Sequence, residues 1–184
     1  MFRSSQAVAA GVSWRDLYAL RDAGELLEIS RGVFQLADVV FDRVDYVAVC
    51  ARVPEGMICL VSALEYWDLT DQIPRRVHVA VPSGAHRPTI DYPPTCVHVF
   101  KAEAFRLGRR QIDGPSGERF RVTDPERTVV DVFRLRHRVG SDLAMQALAR
   151  YWRSRRRDVP RLTELAQTLG AWRAMYDALE VLQA

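Results

Sequence analysis

The chain has 184 residues, 48% of them hydrophobic and 27% charged, with 26 basic against 23 acidic side chains. That balance belongs to a folded globular protein with room for a small head and a larger body, and it excludes an intrinsically disordered chain. No apolar run is long enough to cross a bilayer, and the opening MFRSSQAVAAGV lacks the apolar core and small-residue cleavage site of a secretory signal, so a cytoplasmic protein with no membrane partner is expected.

Charge is unevenly placed. Residues 106–161 hold fifteen arginines against seven acids, whereas 1–38, 39–105 and 162–184 are each net negative. Such a segment is either a basic surface able to meet phosphate or a solvated helix face. Cys50, Cys59 and Cys96 are odd in number and have no CxxC spacing, which predicts small buried hydrophobes rather than a disulfide framework or a zinc finger.

In chain order, RSSQAVAA predicts a short helix capped by Ser4 or Ser5, and Gly11 supplies a turn. SWRDLYALRDAGEL predicts a second helix: Ser13 and Asp16 form a capping box, Leu17 and Leu20 share an inward face, and Gly24 stops it. Two strands, Leu26 to Ile29 and Val33 to Leu36, then flank the turn residues Ser30, Arg31 and Gly32. Helix, tight turn, helix and hairpin is the plan of a winged DNA-binding head, in which the second helix enters the major groove and the hairpin tip meets the backbone.

On that plan Ser13, Trp14, Arg15 and Tyr18, on the side away from Leu17 and Leu20, and Arg31 at the hairpin tip are the candidate DNA contacts. Each also has a purely structural role open to it: Ser13 as a cap, Trp14 as core, Tyr18 as a packing residue with a wet hydroxyl. Asp16 and Asp22 on the same helix weigh against tight phosphate contact. A winged head packs a further helix beneath this pair, and only ten residues precede Gly11, so that first helix is expected to be missing.

Asp42 to Val53 predicts a connecting helix ended by Pro54 and Gly56, and Met57 to Val61 a short apolar run. In SALEYWDLTDQIP, Ser62 and Glu65 have the form of a capping box, Leu64 and Trp67 face inward, and Pro74 forbids continuation; Asp68 and Asp71 at the exit are expected to pair with Arg75 and Arg76. Val77, Val79 and Val81 alternate with His78 and Ala80, as Val97 and Val99 do with His98, which predicts two half-buried strands separated by the loop PSGAHRPTIDYPP. RRQID and RFRV predict two more strands around Gly114 and Gly117.

TDPERTVVDVFRLRHRVG starts a helix with Thr123 or Asp124 as cap, Pro125 in its first turn and Glu126 placed for a capping box. Gly140 stops it, and Ser141 opens a helix ending in RSRRR. Arg153, Arg155, Arg156 and Arg157 suit a helix C-terminus and are also a candidate secondary nucleic-acid patch. Two helices, about Arg161 to Leu169 and Ala171 to Leu182, finish the chain.

GxSxG, a phosphate-cradling glycine loop, HExxH and CxxC are all absent, so no catalytic residue and no cofactor are assigned. Cys96, His98 and His78 share one sheet face only if their strands pair, and the expectation is no metal. The only lysine, Lys101, precedes Glu103 rather than following an acidic pair, which argues against a metal-dependent nuclease.

Taken together, GVSWRDLYALRDAGELLEISRGVFQL, VPEGMICLVSALEYWDLTDQIPRRVHVAVP, RPTIDYPP and VTDPERTVVDVFRLRHRVG, in this order and spacing, resemble the AbiEi family of type IV antitoxins, which are transcriptional regulators. The resemblance implies an α+β protein. Residues 1–38 form a winged helix-turn-helix head, 39–56 a connecting helix, and 57–184 an antitoxin domain with a small, mainly antiparallel sheet and C-terminal helices. It implies a repressor of its own operon, bound to double-stranded DNA at promoter repeats, whose C-terminal domain counters a nucleotidyltransferase toxin (AbiEii-like) in abortive infection without a stable complex. It implies no enzymatic activity. The alternative from the residues is a protein- or RNA-interaction module whose head does not bind DNA.

Overall fold

Ala7, Leu17, Leu26 and Phe34 close a small N-terminal core, with Phe2 and Val12 packed against it. They are seen in a computed structural model that describes residues 1–38, 43–114 and 118–183. The expected start of the connecting helix at Asp42, the 38/39 boundary and Gly117 of the hairpin turn fall on or against residues outside that set.

The head is built from β1 (Phe2–Arg3), α1 (Ser4–Ala9), α2 (Trp14–Asp22), β2 (Leu26–Ser30) and β3 (Val33–Leu36). Its sheet is antiparallel with order β1-β3-β2, and β1, on which the sequence pattern is silent, pairs Phe2 with Phe34 and Arg3 with Val33. The helices are joined through Gly11 and α2 is closed by Gly24, both at positive φ, where glycine carries no Cβ penalty. Arg3, not Ser4 or Ser5, caps α1, and its backbone N–H donates to Gln6 Oε1 at 2.7 Å. Leu20 is 36% exposed and does not share the inward face of Leu17, because three short strands offer α2 only one row to bury.

The body follows as α3 (Val44–Arg52), β4 (Met57–Ile58), α4 (Leu60–Tyr66), β5 (Val77–Pro82), β6 (Thr95–Phe100), α5 (Ala102–Phe105), β7 (Arg109–Asp113), β8 (Arg119–Thr123), α6 (Pro125–Arg134), α7 (Arg136–Val139), α8 (Ser141–Arg153), α9 (Val159–Thr168) and α10 (Trp172–Gln183). The protein is α+β. Its second sheet, of order β6-β5-β4-β8-β7, is mixed rather than mainly antiparallel: β5/β6 and β4/β8 run parallel, β4/β5 and β7/β8 antiparallel. The long 83–94 connection brings the chain back to the starting end of β5, so β6 enters alongside in the same direction.

Period-two alternation sorts the strand residues between two layers. Ile58, Val77, Val79, Val81, Phe120 and Val122 face α3 with Tyr46, Val47 and Cys50. Met57, Ala80 and Phe100 face the other way, onto α4, α6, α8, α9 and α10. Helix α6 is central, every residue from Glu126 to Phe133 being buried. Asp124 caps it by accepting from Arg127 N–H at 2.7 Å, while Glu126 is drawn away from any capping box to accept the Tyr151 hydroxyl at 2.7 Å.

Four expectations in the body are corrected. Helix α4 begins at Leu60, straight from the extended Cys59, so Ser62 lies within it; the Ser62 hydroxyl accepts His78 N–H at 2.9 Å, and Glu65 accepts from Arg43 at 2.5 Å and Tyr46 at 2.7 Å. Asp71 pairs with Arg150 of α8 rather than with Arg75 or Arg76, since the α4 exit turns onto the helical layer. Helix α8 ends at Arg153, leaving Arg155, Arg156 and Arg157 beyond it. Cys50 and Cys59 are buried, but Cys96 on the edge strand is only half-buried.

Candidate nucleic-acid interface

The candidate surface is the outer face of α2. Ser13 stands at its N-cap, where the hydroxyl accepts Asp16 N–H at 3.1 Å and donates to Asp16 Oδ2 at 2.7 Å. That geometry spends Ser13 on its own helix. One turn holds Trp14, Arg15 and Tyr18 outward while Leu17 alone reaches the core.

Trp14 is 51% and Tyr18 37% exposed, and their rings stack at 6.1 Å between centroids and 20° between planes. Tyr18 meets Phe34 edge-on at 6.2 Å, which fixes the outer ring through a core residue of β3. Arg21 also lies over the Tyr18 ring, its guanidinium carbon 4.7 Å from the centroid. Arg21 is not among the contacts expected from sequence, although its spacing of three from Tyr18 places the two side chains together on a helix. Arg21 also pairs with Asp22 at 2.8 Å and Glu28 at 3.3 Å, and the hydrogen bond it donates to the Asp22 carboxylate, followed by that to Glu28, raises its pKa. Exposed Arg15 makes no ion pair with any described residue.

Arg31 is exposed at the β2–β3 turn, but the turn itself is held in place. Ser4 N–H donates to Gly32 O at 3.0 Å, Gly32 N–H donates to Glu28 Oε1 at 3.0 Å, and Arg52 of α3 donates to Arg31 O at 3.0 Å. Next to it the Ser30 hydroxyl donates to Tyr92 O at 2.5 Å, and Arg3 donates to Arg52 O at 3.1 Å. The hairpin tip therefore abuts both the start of α1 and the body, with its backbone occupied and the Arg31 side chain outward. Among the described residues no hydrogen bond or ring contact joins Arg31 to α2. Arg52 and Tyr92 as holders of the tip have no local signal in the sequence, since they are distant along the chain.

The four arginines after Trp152 are all exposed. Arg153 and Arg156 border a hollow with Asp68, Asp71 and Arg150, so acids lie among the cations there. Arg157 turns back, donating to Trp152 O at 3.0 Å with its guanidinium 5.8 Å from the Trp152 ring. Among the described residues Arg157 is the one of the four whose side chain folds back on its own helix end.

Among the described residues no helix is long and apolar enough to cross a membrane. No curated protein matches the chain. Residues 1–37, the strands and helices just described, match the family model for a transcriptional regulator, the AbiEi antitoxin, which bears out over the head the resemblance drawn from sequence.

Proposed function

We propose that this chain is a non-enzymatic antitoxin of a type IV toxin-antitoxin system that represses its own operon. Residues 1–38 bind double-stranded DNA at promoter repeats as a winged helix-turn-helix head, and 39–56 connect it to the body. Residues 57–184 counter a nucleotidyltransferase toxin without a stable complex. The observation that carries this reading is that the family match falls on the segment whose second helix turns Trp14, Arg15 and Tyr18 outward. Arg15 and Arg31 supply phosphate anchors, and the Trp14–Tyr18 stack supplies a rigid apolar wall for the groove. Ser13 contributes by capping the helix and presenting its first turn.

Binding of the full chain to a fragment of its own promoter tests this. The Arg15→Ala, Arg31→Ala double variant is expected to lose at least tenfold in affinity and to flatten the salt slope by about two, one for each phosphate contact removed. Unchanged affinity overturns the assignment of both residues.

A second reading rests on the carboxylates around Arg21 and the net negative head: an interaction module for protein or RNA whose head does not hold DNA. Toxin neutralisation that persists with no promoter binding at any salt concentration selects it.

A further inference from the structure

Three side chains with metal-ligand chemistry meet on the face of the second sheet that carries Ala80. His78 on β5 is in register with Cys96 on β6, and His98, two residues further along β6, is in register with Ala80. In a parallel pair, residues in register share a face, so the sheet itself delivers all three to one place. The ligand atoms of His78, Cys96 and His98 all lie within 4.8 Å of one another. His78 Nδ1 and His98 Nε2 are 3.1 Å apart, and the rings lie 17° from parallel. Two nitrogens at about 2.0–2.1 Å from a tetrahedral zinc stand about 3.3 Å from each other, close to the spacing already present.

We propose that His78, Cys96 and His98 form a binding site for one Zn²⁺ ion, held by two imidazole nitrogens and a thiolate with a water in the fourth position. The donor set is borderline-soft, which suits zinc and excludes the oxygen-seeking magnesium and calcium. All three residues are half-buried, so the ion has a route in from solvent. When the metal arrives, the proton between the two facing nitrogens passes through solvent to the other nitrogen of its own ring, leaving both imidazoles neutral with a free lone pair, and the Cys96 thiol gives its proton to solvent to become a thiolate ligand.

The surroundings set the affinity. Lys101, Arg134 and Arg138 line the hollow beside His98 and oppose an incoming cation, while the Cys96 thiolate offsets one of those charges. Cys59 is the next residue in the row across the sheet, its N–H donating to His78 O at 2.9 Å, but it is fully buried and is not one of the three. Bound there, zinc would staple the edge strand β6 to β5, which joins it through the long 83–94 connection. The expectation of no metal drawn from the sequence was conditional on unproven strand neighbours, and the register supplies the missing condition.

The untagged full chain, freed of metal with a chelator, is titrated with Co²⁺ as a spectroscopic stand-in. One Co²⁺ per chain is expected, with a thiolate-to-cobalt charge-transfer band that Zn²⁺ abolishes. Cys96→Ser should remove the band, and His98→Gln should weaken binding at least tenfold, with far-UV circular dichroism confirming the fold of each. No band, or a band that persists in Cys96→Ser, overturns the site. Because a variant can fail to fold, the wild-type chain provides a second measurement: equimolar Zn²⁺ should slow alkylation of Cys96 at least tenfold, and an unchanged rate also overturns it.

Discussion

Arg127 Nε lies 2.7 Å from Asp131 Oδ2 with both side chains wholly buried in α6. The same guanidinium donates at 2.7 Å to the carbonyls of Ala104 and Leu107, and Asp131 accepts from Arg134 at 2.9 Å. A cation so deep in a small core is held by its partners' geometry, and removing one partner strands the other. Asp131→Ala is therefore expected to lower stability by about 3–5 kcal/mol in chemical denaturation. A loss below about 1 kcal/mol would show that the pair contributes little to holding α6 in place.

At the head the capping geometry gives a smaller effect. Ser13→Ala should cost about 1 kcal/mol by freeing the Asp16 N–H, seen as a lower midpoint in urea. Ser13→Asp should recover most of it, which separates capping from any direct contact with DNA.

Trp14→Ala should behave in the opposite manner. With half its surface exposed, the ring adds about 1 kcal/mol or less to stability through its stack on Tyr18, so the melting temperature should move little while promoter affinity falls. Parallel losses in both measurements would place Trp14 in the fold of the head rather than on a binding surface.

The head shows how far a single sequence reaches. Ser13, Gly11, Gly24 and the two strands around Arg31 are set by interactions a few residues long, and those are legible as caps, turns and period-two runs. Leu20 was misplaced because its burial depends on how much sheet lies beneath the helix, a property of strands further along the chain. The same limit hid the direction of β6: alternation reports which residues share a face but is identical for parallel and antiparallel neighbours. Ser62 with Glu65 has the spacing of a cap, yet Arg43, Tyr46 and His78 claim those two side chains, and none of the three is local. In the candidate interface the outward set of Trp14, Arg15 and Tyr18 was readable from helical period, whereas the anchoring of the tip by Arg52 and Tyr92 was not.

Thiol chemistry should separate the three cysteines. Burial pushes the Cys50 thiol up to about 11 and the Cys59 thiol well above its ordinary value, so both stay protonated and shielded at about pH 8. Iodoacetamide acting on the native, metal-free chain should label Cys96 first, with mass spectrometry of tryptic peptides as the readout. Equal labelling of all three would mean that the sheet opens on the time scale of the reaction.

The arginines beyond α8 give a further test. Because Asp68 and Asp71 share the hollow with Arg153 and Arg156, an Arg153→Glu, Arg156→Glu double variant should leave both promoter affinity and its salt slope unchanged. A slope reduced by about one per residue would assign these side chains to phosphate instead.

The parallel partner of β4 has a consequence for synthesis on the ribosome. Ile58 pairs with Val122, so the middle of the second sheet joins two stretches separated by about half of the body. The head's own core of Ala7, Leu17, Leu26 and Phe34 is complete once β3 emerges, and its tip anchors Arg52 and Tyr92 also precede β8 along the chain. β4 must wait, with one side unpaired, until β8 has left the exit tunnel. A nascent or prematurely terminated chain that ends before Val122 thus leaves β4 with an open edge, which exposes such a fragment to proteases and to aggregation.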